Sequence, residues 1–206
     1  MTKSHPAESD KSRKAPTRKE ITITGFGGQG VVLTGKILGQ AAALGDHMQS
    51  TLVQAYGPEA RGGACSAQVI ISELAIHFPY VRKPHILVCM SQSGFDKYIA
   101  DLSEDGTLIT DQDLVEPRGY EKEYFTIPAT RMAEELGRKM MANIIMLGFL
   151  TAVTAAVTLD AAQEAVVDSV PKGTEQLNLK AFQKGFDFGE ATLKGRKKRA
   201  IGEAGA

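Results

Sequence analysis

The chain has 206 residues, with Lys+Arg and Asp+Glu balanced at 24 each and 43% hydrophobic residues. That supports one domain with a real core, and it gives no electrostatic case for nucleic acid or a membrane surface. Its two cysteines, Cys65 and Cys89, stand far apart with no paired spacing. The pattern excludes an iron–sulfur cluster or structural zinc held by this chain alone, and it suits small core hydrophobes in a reducing, cytoplasmic setting.

Residues 1–19 are polar and basic without an apolar run, which reads as a flexible tail rather than a secretory signal. Residues 21–24 (ITIT) are β-branched and suit a short strand. Gly25, Gly27, Gly28 and Gly30 then form a turn, and residues 31–44 have helical composition. A strand feeding a glycine turn that opens a helix aims backbone N–H groups and the positive helix end at one point, which favours an anion. Gly25-x-Gly27-x-x-Gly30 also fits the dinucleotide fingerprint. Its expected ribose-binding acid, about 20 positions on, would be Asp46, which falls in a turn before the next strand (48–53). On the helix, Gly35 and Gly39 lie four apart and permit close approach of a neighbouring backbone.

The loop 54–63 (QAYGPEARGG) is dense in turn formers and presents Tyr56, Glu59 and Arg61. Arg61 could grip a phosphate or carboxylate in bidentate fashion, or pair with Glu59 or a partner chain. Residues 64–71 return as a strand, and 74–78 read as a short edge strand closed by Pro79. The apolar run 86–90 reads as a buried parallel strand, ended by Ser91, Gln92 and Ser93. A helix over 94–102, a strand over 107–110, a strand over 123–127 and a helix over 129–139 opened by Pro128 follow.

Residues 140–159 carry no charge, and 20 residues could span a bilayer. Asn143, three threonines and a glycine favour a buried or interface helix instead, with Asn143 and its helix serving packing. A helix over 159–167 is capped by Thr158 or Asp160, and a last helix runs from Asn178 to Leu193. Residues 194–199 form a basic run that reads as a solvated tail. The pattern gives a flexible tail (1–19), a single domain (20–194) and a basic C-terminal tail (195–206). The fold expected is α/β, a Rossmann-like layered fold with a mostly parallel mixed sheet flanked by helices.

In such sheets ligands bind outside the carboxyl ends of the strands, where strand order reverses. Gly25, Gly27, Gly28, Gln29, Gly30, Arg61, Ser91 and Gln92 fall at that edge and are the candidate binding residues. None of His5, His47, His77 and His85 sits beside a nucleophile, so no catalytic residue and no metal site is expected here.

GFGGQG (25–30), AYGPEARGG (55–63), ANIIMLG (142–148) and LNLKAFQKG (177–185) occur together and in order. Together they resemble the gamma subunit of 2-oxoacid:ferredoxin oxidoreductases over residues 20–193. The resemblance implies a subunit of an enzyme that oxidatively decarboxylates a 2-oxoacid with coenzyme A, in anaerobic metabolism. It implies thiamine diphosphate and Mg2+ in alpha and beta subunits, [4Fe-4S] clusters in partner subunits, and ferredoxin or a related acceptor. Coenzyme A would then meet the glycine turn and Arg61. The YGPEARGG loop looks most like the 2-oxoglutarate and branched-chain types, with aryl 2-oxoacids also open. A stand-alone oxidoreductase using NAD(P) or flavin, and a purely structural subunit, are the competing readings.

Overall fold

The computed structural model describes residues 17–56 and 64–204. The central strand β1 (Arg18–Phe26) alternates its side chains strictly. Ile21 and Ile23 enter the main core, while Thr22 and Thr24, also buried, face the opposite side of the sheet. α1 (Val31–Gln40) follows the glycine turn and ends in a wider π-type turn, Ala41–Gly45. β2 (Gln49–Tyr56) and β3 (Ala64–Ser72) come next, then β4 (Ile86–Cys89) and α2 (Gln92–Tyr98). β5 (Thr107–Asp111), β6 (Phe125–Ile127), α3 (Ala129–Glu135), α4 (Ala142–Thr154), α5 (Leu159–Ser169) and α6 (Glu175–Ala204) complete the order.

The six strands lie in the order β2-β3-β1-β4-β5-β6. β1, β4, β5 and β6 are parallel, whereas β3 runs antiparallel to both β1 and β2. The expected α/β layered fold with a mixed sheet is therefore present. Chain direction reverses across β1: α1 carries the chain to β2 on one side, and β4 adds on the other. The crevice between the carboxyl ends of β1 and β4 is the switch point at which open sheets bind ligands.

Alternation in the parallel strands sorts side chains between two cores. Ile86, Val88 and Ile109 face α1, α4, α5 and α6, while Leu87, Cys89 and Leu108 meet Phe95 of α2 on the other face. Gly35 on α1 brings that helix onto β3, since an added Cβ would lie 2.7 Å from that of Ala67. α4 and α6 cross backbone to backbone, because a Cβ on Gly148 would lie 2.0 Å from the Phe182 carbonyl oxygen.

Several expectations shift. Residues 74–78 form bends and irregular backbone rather than an edge strand paired with β3, because both edges of β3 are already occupied by β1 and β2. β1 begins at Arg18, inside the stretch read as a tail. α6 starts at Glu175, so Asn178 lies inside its first turn and donates to the Thr174 carbonyl at 3.0 Å rather than capping the helix. The same helix continues through Ala204 instead of ending at Leu193. Arg196 holds this extension down: its guanidinium lies 3.8 Å from the Phe125 ring centre and donates to the Tyr124 carbonyl. The uncharged stretch yields only the 13-residue α4, and no described helix is long and apolar enough to cross a membrane.

Candidate functional site

The turn between β1 and α1 divides its work among its residues. Gly28 and Gly30 have φ of +96° and +76°, the left-handed region that glycine enters without strain. Gly27 and Gly28 are exposed, and nothing lies within 4 Å of a Cβ placed on Gly28, so this part of the turn faces outward. Gly25 is buried at the end of the strand, where a Cβ would lie 2.5 Å from Gln29 Oε1. Gln29 closes the turn on itself and onto the neighbouring strand. Its Oε1 accepts from Phe26 N at 2.6 Å, and its Nε2 donates to the Met90 carbonyl at 2.9 Å.

α1 begins at this turn without a side-chain cap and without an acidic residue in its first turn. Its leading N–H groups have no intrahelical acceptor, and no carboxylate of its own first turn offsets the positive end of the helix. The exposed Gly27 and Gly28 adjoin that helix start.

Ser91 follows β4 and lies next to the turn through Met90. It is fully buried and caps α2, its Oγ accepting from Gly94 N at 3.2 Å. Gln92 points away. Its Nε2 donates to Asp96 Oδ1 at 2.8 Å, and its Oε1 accepts from Glu116 N at 2.8 Å. It lines a cleft of about 520 Å³ with Thr110, Asp113, Tyr124 and Thr126, along the carboxyl ends of β5 and β6. The fold thus gathers Gly25, Gly27, Gly28, Gln29, Gly30 and Ser91 at the switch point and places Gln92 on the adjoining cleft. Arg61 and the rest of its loop, 57–63, lie outside the described residues.

One neighbour of the turn was assigned only to packing by its sequence context. Asn143, 2% exposed near the start of α4, donates from Nδ2 to the Gly30 carbonyl at 3.3 Å. The signal available in the sequence was a lone amide in an apolar helix. Which turn it would meet depends on how α4 packs against α1.

The dinucleotide reading loses its acid. Asp46 accepts from Thr158 N at 2.9 Å and Thr158 Oγ1 at 2.6 Å, tying the end of the π-type turn to the start of α5. Thr158 itself caps α5, accepting from Ala161 N. Both cysteines are buried, and burial pushes their thiols up, for Cys89 with help from the Asp96 charge. Neither is a ready thiolate ligand or nucleophile. Among the described residues no group of three His, Cys, Asp or Glu side chains is placed to hold a metal ion.

The family model for pyruvate ferredoxin/flavodoxin oxidoreductase matches residues 20–188. The chain belongs to that family. It is 49% identical over 179 residues to the 2-oxoglutarate synthase subunit KorC of Methanocaldococcus jannaschii, a match covering 85% of this chain and 96% of that relative. Among solved structures it is similar to the gamma subunit of a keto/oxoacid ferredoxin oxidoreductase from Geobacter sulfurreducens. The TM-score is 0.73 at 39% identity, covering 84% of this chain and 99% of the other. The 2-oxoglutarate:ferredoxin oxidoreductase from Magnetococcus marinus, with 2-oxoglutarate, coenzyme A and succinyl-CoA bound, shares the fold at TM-score 0.76. At 19% identity, 84% of this chain matches 31% of that one. The chain is thus a gamma-type subunit of an oxidoreductase acting on 2-oxoacids, as the four motifs implied.

Proposed function

We propose that this gamma subunit serves a 2-oxoglutarate-type oxidoreductase and contributes the phosphate-facing side of its coenzyme A site. The observation that carries this is the uncapped start of α1 behind the exposed Gly27 and Gly28, at the sheet's switch point. Coenzyme A carries a pyrophosphate and a 3′-phosphate, which suit free N–H groups at a helix start. Arg61, in the glycine-rich loop after β2, supplies a guanidinium for the same anion. Gln29 keeps the turn fixed to β4 rather than touching ligand, and Ser91 fixes the start of α2. Similarity to 2-oxoglutarate synthase subunits favours 2-oxoglutarate over branched-chain and aryl 2-oxoacids.

Thiamine diphosphate, held with Mg2+ in the alpha and beta subunits, supplies the electron sink for decarboxylation. In partner chains, [4Fe-4S] clusters would carry the two electrons, one at a time, to ferredoxin in the cytoplasm. The buried, raised thiols of Cys65 and Cys89 fit this division, since neither is available as a cluster ligand. An NAD(P) role is disfavoured by the engagement of Asp46 with Thr158.

Steady-state titration of coenzyme A with the assembled enzyme tests the assignment. Gly28→Ala puts a methyl group where the ligand approaches and strains a φ of +96°, and Arg61→Ala removes a charge-assisted hydrogen bond. Each should raise KM for coenzyme A by about ten-fold or more, with KM for the 2-oxoacid unchanged. Unaltered coenzyme A kinetics in both variants, with assembly intact, would refute the coenzyme A role.

A further inference from the structure

Asn143 sits where an apolar residue would be cheaper. From Ala142 to Thr151 every residue of α4 is buried, and a buried amide is costly unless both its ends are bonded. Only one end is. Nδ2 donates to the Gly30 carbonyl at 3.3 Å, while Oδ1 is buried and accepts from no described residue. A leucine of similar volume would avoid that penalty. Such departures from core chemistry gather at functional sites.

What the amide holds is the last peptide of the glycine turn. The Gly30 carbonyl also accepts from Thr34 N at 2.9 Å and Thr34 Oγ1 at 3.1 Å. A Cβ on Gly30 would lie 2.3 Å from Asn143 Nδ2, so the amide is packed directly against this residue. The peptide unit is planar and trans, so its C=O and N–H point in opposite directions. Fixing the Gly30 oxygen inward therefore fixes the Val31 N–H outward, off the uncapped end of α1.

We infer that Asn143 is a positioning residue for the bound phosphate, acting through the Gly30–Val31 peptide. Its donor orients the N–H that meets the anion, and its stranded oxygen is the cost of that placement. This rests on the coenzyme A reading given above.

The test uses the assembled enzyme carrying Asn143→Leu or Asn143→Ala. Loss of one orienting hydrogen bond should raise KM for coenzyme A about ten-fold, leaving kcat and KM for the 2-oxoacid within about two-fold. The thermal midpoint of Asn143→Leu should equal or exceed that of the wild type, because the orphaned oxygen is gone. A role in packing alone predicts the opposite pattern, a lowered midpoint with coenzyme A KM unchanged, and that result overturns the inference. Should the leucine variant fail to assemble, Asn143→Ala decides alone, since it adds no bulk. Gly28→Ala and Arg61→Ala run alongside. If they raise coenzyme A KM while the Asn143 variants do not, only this inference falls. If none of the four does, the coenzyme A reading falls with it.

Discussion

Asp111 shows how one side chain can be both well bonded and electrostatically uncomfortable. At the end of β5 it is fully buried and accepts from Thr130 Oγ1 at 2.7 Å, Thr130 N at 3.0 Å and Asp113 N at 3.0 Å. Burial nonetheless wins, and with some help from the Asp113 charge it holds the carboxyl above its ordinary range despite those hydrogen bonds. A carboxyl raised in the fold binds its proton more tightly there than in the unfolded chain. Stability therefore falls as pH rises from the ordinary carboxyl value through the folded one, and is recovered on acidification. Measured by urea unfolding between pH 7 and about 4, the wild type should gain stability relative to Asp111→Asn as pH is lowered. Parallel pH profiles for the two proteins would rule this out. Residues of this kind are hard to read in a sequence. Gly28 and Gly30 were legible because a positive φ restricts residue type. The use of Gln29 as a brace to Met90, and of Asn143 as a brace to Gly30, depends on which distant backbone oxygen ends up opposite.

At the scale of elements, α4 and α6 pack on glycine contacts that the sequence shows only as letters. A Cβ on Gly185 would lie 1.9 Å from the Ile145 carbonyl oxygen, and one on Gly148 would meet the Phe182 carbonyl at 2.0 Å. These neighbours are backbone and cannot rotate away, so either Gly148→Ala or Gly185→Ala should destabilise the chain by about 3 kcal/mol. Gly195 lies on the same α6 with nothing within 4 Å of an added Cβ. Gly195→Ala should therefore stabilise by up to about 1 kcal/mol, the ordinary helix preference for alanine. Denaturant midpoints should fall for Gly148→Ala and Gly185→Ala and rise for Gly195→Ala, and equal shifts would contradict the close-packed crossing. The amphipathic helices were readable from periodicity because each buries one face, and β4 from its continuous apolar run because it buries both. The supposed strand at 74–78 was misread because alternation cannot reveal that β3 has no free edge. The length of α6 was missed because its last turns are polar. They are held by Arg196 stacking on Phe125, a contact between residues far apart in sequence.

The whole molecule places the uncapped start of α1 at the β1/β4 switch point and buries both of its thiols. Cys65 lies in the main core and Cys89 in the core beneath α2, with both thiols pushed up by burial. Asp46 is spent on Thr158, and Ser91 on the start of α2. Among the described residues no nucleophile or acid–base pair lies beside the start of α1. The sequence alone made the α/β layering legible, and four motifs in order pointed to the family. The order β2-β3-β1-β4-β5-β6, which sets the glycine turn beside Ser91, is a property of long-range pairing that local pattern does not encode. Chemistry should therefore appear only on assembly. The purified chain is expected to unfold cooperatively and to form no acyl-CoA from 2-oxoglutarate and coenzyme A. The same preparation added to the partner subunits proposed to carry thiamine diphosphate and the clusters should restore acyl-CoA formation and reduction of the electron acceptor. Turnover by the chain alone, or a flavin or nicotinamide cofactor retained by it through purification, would place the chemistry inside this subunit and defeat the assignment.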